Sequence, residues 1–313
     1  MSRPSLSVVI PTHDTRELTL ACLASLPAGG AEPIEIIVVD DASSDGTAAA
    51  VHGLHPAATV VATGRNVGFS RAANLGVERA AGEVVLLLNS DTEVLEGALA
   101  AALAAFADHP RLGIAGAELF DPAGRPPWRA GRRPTPAWLF LLTSGLGAAL
   151  ARLPGRGRLG AGGAARRGSV DWVTGAAMAI RRETWQQCGP FDESYRFYAQ
   201  DLDLCTAASA AGWTVAVAPG FRVLHHHGAT IAVRPGTAGA VHPELLWSDL
   251  LRFVAKHHGE AAAGRARRLM RLGARLRLAA RRAAAPFIGA GARDAWRRDT
   301  GAYRAALDAL RRR

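Results

Sequence analysis

PIEIIVVDDASSDGT, residues 33–47, sets the reading of the chain. Ile34 to Val39 is a near-unbroken apolar run rich in Ile and Val. It is too short for a helix and suits a strand buried on both faces. Asp40 and Asp41 end it abruptly, Ala42-Ser43-Ser44-Asp45-Gly46 reads as a turn, and a helix is predicted to begin near Thr47. The same alternation extends outward. Upstream, SLSVVIP (5–11) is a strand closed by proline and Arg16 to Leu26 has helical spacing. Downstream, strands are predicted over 59–63, 83–88 and 112–119, with helices over 70–81 and 95–108. Apolar strands alternating with helices predict an α/β fold, a mostly parallel sheet covered on both faces.

Beyond residue 120 the pattern changes. Residues 121–170 are rich in Gly, Pro and Arg around one apolar helix, Pro136 to Ala151, and read as an insertion. That helix is shorter than the roughly 20 residues a membrane span requires, so it is expected to be buried or to lie on a membrane. A strand over 170–180, a helix over 201–212 and short strands over 214–217 and 221–225 complete an α/β domain of residues 1–240. Residues 241–313 read as a basic helical extension. No internal repeat is evident.

The three cysteines, Cys22, Cys188 and Cys205, are too few and too scattered for a disulfide framework or zinc ribbon. Met1 leads directly into a strand, without a signal-peptide pattern. A cytoplasmic protein is expected. The net charge is +10, unevenly spread. Residues 252–313 hold 17 basic and 4 acidic side chains, whereas residues 1–251 hold 20 and 23. A polyanion, either anionic lipid or nucleic acid, is the natural partner of such a tail. The acidic body speaks against a nucleic-acid module.

Four constellations can carry chemistry. Asp40, Asp41 and Asp91 stand at strand ends, where ligands bind in open α/β sheets. The alternative reading of Asp40 and Asp91 is helix capping, and residue type alone leaves both open; for Ser44 and Asp45 capping is the better reading. Arg65-Asn66-Val67-Gly68-Phe69-Ser70 is a turn where a glycine lets backbone approach a ligand. Asp201 and Asp203, two residues apart at a helix start, point in different directions, so one can face a cleft as a general base. His225-His226-His227 ends a strand, where alternation sends His225 and His227 to one face and His226 to the other. Gly155-Arg156-Gly157-Arg158-Leu159-Gly160 matches a dinucleotide motif, but no strand precedes it.

The order of SVVIPTHD (7–14), VVDDASSDGT (38–47), GRNVGFSRAANLGV (64–77), LLLNSDTEV (86–94), WVTGAAMAIRR (172–182), FDESYRFYAQDLDLC (191–205) and FRVLHHHGAT (221–230) resembles glycosyltransferase family 2, in its bacterial rhamnosyltransferase-like branch. The resemblance implies a GT-A (Rossmann-like) fold and a metal-dependent inverting glycosyltransferase of cell-envelope polysaccharide synthesis. It would use a UDP- or dTDP-linked sugar, a glycan or lipid-linked acceptor, and Mg2+ or Mn2+. It implies that Pro11, Thr12, Asp14, Asp40, Arg65, Asn66, Gly68, Asn89 and Ser90 surround the nucleotide donor. Asp91 and His225 would hold the metal, Asp201 would be the base, and Trp172, Gly175, Ala176 and Gln200 would flank the sugars. Phe197 and Tyr198 are further candidates for an apolar wall against a sugar, while Trp213 is expected to be an ordinary core aromatic. Two positions depart from the family pattern: Asn89 stands first in the metal motif, and Gln200 replaces a glutamate before Asp201.

Two rivals remain. A nucleotidyltransferase would need a Gly-rich, basic loop after the first strand, where Pro11-Thr12-His13-Asp14 stands instead. A sugar-nucleotide-binding pseudoenzyme would fit Asn89 and Gln200 but not the intact Asp91 and Asp201. In the tail, Leu269, Leu272, Leu276, Ala279, Ala280 and Ala283 form a stripe opposite Arg267, Arg271, Arg275, Arg281 and Arg282. This predicts either an interfacial helix on the anionic inner face of the plasma membrane or a helix packed on the body with a solvated Arg face.

Overall fold

The computed structural model describes residues 4–27, 34–125, 130–151, 170–226 and 242–311. His227 and the Gly155–Gly160 motif lie outside them. Contacts divide the chain into two units. One gathers residues 1–131, 165–194 and 200–240; the other gathers 132–164, 195–199 and 241–313. Of the insertion read over 121–170, the described residues 132–151 thus group with the tail, and 121–125, 130–131 and 170 with the first unit.

In the first unit the strands are β1 (Leu6–Thr12), β2 (Ile34–Asp40), β3 (Thr59–Ala62), β4 (Val84–Leu88), β5 (Thr92–Val94), β6 (Leu112–Phe120), β7 (Ala130–Gly131), β8 (Trp172–Val173), β9 (Ala177–Arg181) and β10 (Thr214–His225). Its helices are α1 (Arg16–Ala24), α2 (Thr47–Leu54), α3 (Phe69–Arg79), α4 (Ala98–Asp108), α7 (Arg182–Cys188) and α8 (Gln200–Ala210). The second unit holds α5 (Pro136–Ser144), α6 (Leu146–Ala151), α9 (Pro243–Ala284) and α10 (Arg293–Ala309).

Eight strands form one sheet in the order β3-β2-β1-β4-β9-β6-β10-β5, and β7 pairs with β8 separately. β1, β2, β3 and β4 are mutually parallel, as are β6 and β10. β9 runs antiparallel between β4 and β6, and β5 runs antiparallel on the edge of β10. The predicted α/β class holds, with a mixed rather than purely parallel centre. Every residue of β1 and β4 is buried, as continuous apolar runs require when both faces are covered. The two strands expected over 214–225 are one, with a register shift between Val217 and Arg222. β5, three residues long, and α7 have no counterpart in the sequence reading.

Close packing of helix on sheet depends on Gly76. A Cβ there would collide with Val9 Cγ1 and come within 2.9 Å of Val39 Cγ2. Asn74, two residues earlier and buried, accepts from Phe191 N at 2.9 Å and donates to Phe191 O at 3.0 Å. α3 is therefore clamped to the segment that leads into residues 191–194.

In the second unit the expected single helix 136–151 is broken at Gly145, whose φ of 78° no apolar side chain adopts cheaply. α9 leaves helical geometry at Gly259. Its later half packs through a face not expected from the bulky residues: Ala263, Ala266, Met270, Gly273 and Ala274 are buried. Gly273 lets Thr143 of α5 approach directly, with Phe140 O 3.0 Å from where a Cβ would stand. Leu272 and Leu276 of the anticipated stripe point outward, half exposed. Arg281, expected in the solvated row, lies 3.7 Å over the Trp296 ring and donates to Thr300 Oγ1 and Trp296 O. Arg267 is half-buried. Among the described residues no helix is long and apolar enough to cross a membrane.

Gly76→Ala is expected to lower stability by about 2–3 kcal/mol, as overpacking against a buried sheet does. Thermal melting reads this, and an unchanged midpoint would contradict the close contact between α3 and the sheet.

Candidate active site

The parallel strands β1, β2 and β4 end on one edge of the sheet, and β9, running the other way, begins there. Thr12 pairs with Asp40 in register, and Asn89 N donates to Ala176 O at 2.9 Å. Gly175 N, one residue earlier, donates to Asp201 Oδ2 at 3.1 Å. Asp201 opens α8, and Leu202 N donates to its Oδ1 at 2.8 Å. Asp40 thus stands at the expected strand-end edge, and the Asn89–Asp91 loop is joined to Asp201, read from the sequence as a helix-start acid, through Ala176 and Gly175.

His225 joins them through the antiparallel pairing of β5 with β10, which sets His225 opposite Thr92. Its Nε2 lies 3.3 Å from Asp91 Oδ1, and both side chains are under one-tenth exposed. His226 turns the other way: its Nε2 is 2.6 Å from Glu93 Oε1, and its N–H donates to Asp91 O. The alternation read from the triplet is therefore seen for its first two members. Asp91 Oδ1 and His225 Nε2 converge closely enough to contact one divalent ion; the carboxylate suits Mg2+ or Mn2+, and the imidazole favours a transition metal over Mg2+. Among the described residues no cluster of three or more His, Cys, Asp or Glu forms a fuller cage. The remaining coordination would fall to substrate oxygens and water.

The other acidic residues divide by whether protein satisfies them. Asp41 is buried and accepts from Val67 N at 2.7 Å, Gly68 N at 2.9 Å and Thr63 Oγ1 at 3.0 Å. It pins the Arg65–Gly68 turn, leaving Arg65 and Asn66 exposed at the edge. Asp14, with φ of 50°, accepts from Ser44 N at 2.6 Å, and that bond holds its carboxyl below the ordinary carboxylate range. Asp14 is thus occupied in joining two strand-end loops. Asp45 accepts from Thr47 N at 3.0 Å and Arg16 N at 2.8 Å, serving the starts of α2 and α1 together. Asp45 thus holds helix-start N–H groups, although the N-cap positions belong to Gly46 and Thr15, and Ser44 binds Asp14 instead of capping a helix.

Asp40 differs: it is 5% exposed, and its Oδ1 has no hydrogen-bond partner among the described residues. The same is true of Gln200 Oε1. Buried polar atoms left unpaired cost about 1–3 kcal/mol each, so both mark places where a ligand can donate. Burial raises the Asp201 carboxyl above the ordinary range against the backbone donors, Gly175 N–H foremost, that lower it. It is closely surrounded yet retains an accessible edge. Burial also pushes the Cys22 thiol up to about 12, which excludes it as a nucleophile at neutral pH.

Sequence reasoning missed the support below Ser90. Ser90 Oγ is 2.9 Å from Thr15 Oγ1, which meets Thr12 Oγ1 at 2.8 Å, and Thr12 meets Thr19 at 2.7 Å. The signal was present as three threonines in register after β1. Trp172 is buried in the β7–β8 ribbon, and Trp213 sits before the opposite end of β10, bonded to Gln187. Phe69 Cζ lies 3.8 Å from where a Cβ on Gly175 would stand, an apolar neighbour not anticipated. In the second unit, buried Asp249 accepts from the N–H groups of Arg196, Phe197 and Tyr198 at 2.9–3.3 Å. An acid amid WSDLLRFV was its signal.

Residues 7–172 match the family model described as glycosyl transferase family 2. The chain is 29% identical over 269 residues to an N-acetylglucosaminyl-diphospho-decaprenol L-rhamnosyltransferase of Mycobacterium tuberculosis, covering 81% of this chain and 85% of that protein. Over 100 residues, 31% of this chain and 32% of the relative, it is 34% identical to a GalNAc(5)-diNAcBac-PP-undecaprenol beta-1,3-glucosyltransferase of Campylobacter jejuni. In fold it is similar to a Pyrobaculum calidifontis mannosyltransferase solved with GDP-Man and Mn2+. The TM-score is 0.57 at 19% identity, covering 99% of this chain and 87% of that one.

Asp40→Ala is expected to weaken donor-nucleotide binding by about 10-fold or more while leaving the melting temperature unchanged or raised, since it removes an unsatisfied buried carboxylate. Asp41→Ala is expected to lower stability by about 2–4 kcal/mol through loss of three charge-assisted bonds. Calorimetric titration and thermal melting on both variants distinguish these roles, and a reversed pattern would contradict them.

Proposed function

The chain belongs to glycosyl transferase family 2 and is a glycosyltransferase; from that premise we propose that it transfers a sugar from a UDP- or dTDP-linked donor to a hydroxyl of a lipid-linked glycan, with inversion, in cell-envelope polysaccharide synthesis. The observation that carries the reading is the enclosed Asp201 carboxylate. Gly175 N and Leu202 N orient it, and burial makes it more basic than an ordinary aspartate. The similarity to the mycobacterial enzyme, whose acceptor is a sugar diphospho-decaprenol, supports an acceptor of that class. A peripheral position at the inner face of the plasma membrane follows from such an acceptor.

Asp201 takes the proton of the acceptor hydroxyl as its oxygen attacks the anomeric carbon from the face opposite the diphosphate. The new C–O bond forms as the bond to the phosphate oxygen breaks, and the pair of electrons leaves with the nucleoside diphosphate. Gln200 Oε1, buried and open, accepts a hydrogen bond from a sugar hydroxyl. Asp40 Oδ1 accepts from the base or ribose, with Pro11 and Thr12 beside it, and Gly175 and Ala176 line the sugar. Arg65, Asn66 and Gly68 face the donor from the turn held by Asp41. Asp14 supports that pocket through its loop contacts. Asp91 and His225 fit a divalent ion, Mg2+ or Mn2+, which when bound supplies positive charge against the diphosphate. The Mn2+ in the archaeal neighbour is in keeping with this.

Asp201→Asn is expected to lower turnover by about 10²–10⁴, the usual worth of a general base, with donor affinity retained. The pH profile supplies the second readout. A base must be deprotonated, so wild-type activity rises with pH through the raised Asp201 pKa, giving an acid limb above the ordinary carboxylate range. Turnover of Asp201→Asn near the wild-type value, or a wild-type limb at ordinary carboxylate pH, would sink the assignment.

A further inference from the structure

The later half of α9 has two apolar faces, and the fold of the second unit uses one. Met270 and the small residues Ala263, Ala266, Gly273 and Ala274 fill the packing face. Leu272 and Leu276, one turn apart, point away from it and are 50% and 47% exposed. Ala279 and Ala283 continue their strip in the open. Phe287, just past the helix end, is 87% exposed. Such bulk left in water around one stretch of helix marks a contact surface.

A second row runs beside the strip. Arg268, Arg275 and Arg282 recur every seven residues, so they lie above one another along the helix, and all three are exposed. They stand apart from Arg277 and Arg281, which are spent on Tyr303, Trp296 and backbone carbonyls. Helix geometry places the arginine row adjacent to the leucine strip, on the side away from the packing face.

We propose that this outward face, Leu272, Leu276 and Phe287 flanked by Arg268, Arg275 and Arg282, docks on an anionic lipid bilayer. An interfacial helix sinks its apolar side chains at the level of the headgroups while its cations meet lipid phosphates beside them. Charge selects this occupant over two others. A second copy packed antiparallel on the same face by two-fold symmetry would bring two arginine rows together. A nucleic-acid backbone would satisfy the arginines but leave the leucines and Phe287 in water. The proposal needs none of the catalytic assignments, because the face is built within the second unit alone.

The test is co-sedimentation of the full chain with phosphatidylcholine vesicles, with and without phosphatidylglycerol. The wild type is expected to bind only the anionic vesicles, and less so as salt rises. Arg268→Gln/Arg275→Gln/Arg282→Gln is expected to weaken binding by about 100-fold, and Leu272→Gln/Leu276→Gln by about 10-fold or more. Both sets are exposed, so wild-type melting temperature and donor affinity are expected and serve as the folding check. Failure of the wild type to bind anionic vesicles at low salt overturns the proposal. So does wild-type vesicle binding by the leucine variant, including the case in which light scattering shows that variant dissociating a dimer. Binding of a DNA duplex as tight as vesicle binding, and equally indifferent to the leucine change, also overturns it.

Discussion

β9 runs against its neighbours, and the arrangement of the site depends on that reversal. Inserted antiparallel between β4 and β6, it begins at the edge where β1, β2 and β4 end. A parallel strand in the same place would carry its first residues to the opposite edge, far from the loop ends. As built, Gly175 and Ala176 meet Asn89 on one side and Asp201 on the other. The second antiparallel contact, β5 with β10, does the same for the histidines and brings His225 to Asp91. The two ladders thus bring residues from 89 to 225 into one chain of contacts on the first unit.

Within that chain the protein treats its acidic residues unequally. Asp14, Asp41 and Asp45 spend their oxygens on backbone N–H groups of the strand-end loops. Among the described residues, Asp40 and Gln200 keep a buried oxygen unpaired, and non-glycine residues with positive φ stand at 14, 42 and 199. Unsatisfied buried groups and positive-φ backbone persist only where the surrounding structure enforces them, and they concentrate where a ligand completes the site. The satisfied aspartates hold the loops, and the Asp40 and Gln200 oxygens have no protein partner among the described residues.

The alternating strands and helices, the strand-end position of Asp40 and Asp91, and the opposite faces of His225 and His226 were legible because each rests on local pattern. The direction of β9 was not, since a five-residue apolar strand reads alike either way. β5 was too short to register. The roles of Asp40 and Asp41 could not be separated, because the difference lies in Val67 and Gly68, more than twenty residues downstream. In α9 the bulky stripe was read correctly as a face, but the buried face was missed. Apart from Met270 it is made of alanine and glycine, whose small size permits close approach to α5 while contributing almost nothing to a hydrophobic pattern.

Asp91 and His225, proposed to hold a divalent ion against the donor diphosphate, are the part of the site most directly open to measurement. Calorimetric titration of UDP- and dTDP-sugars with and without Mn2+, on the wild type and on Asp91→Ala, tests this. The account predicts donor binding that Mn2+ strengthens by about 10-fold or more in the wild type and that loses this dependence in the variant. Donor affinity indifferent to Mn2+ in the wild type, or an undiminished Mn2+ effect in Asp91→Ala, would contradict it.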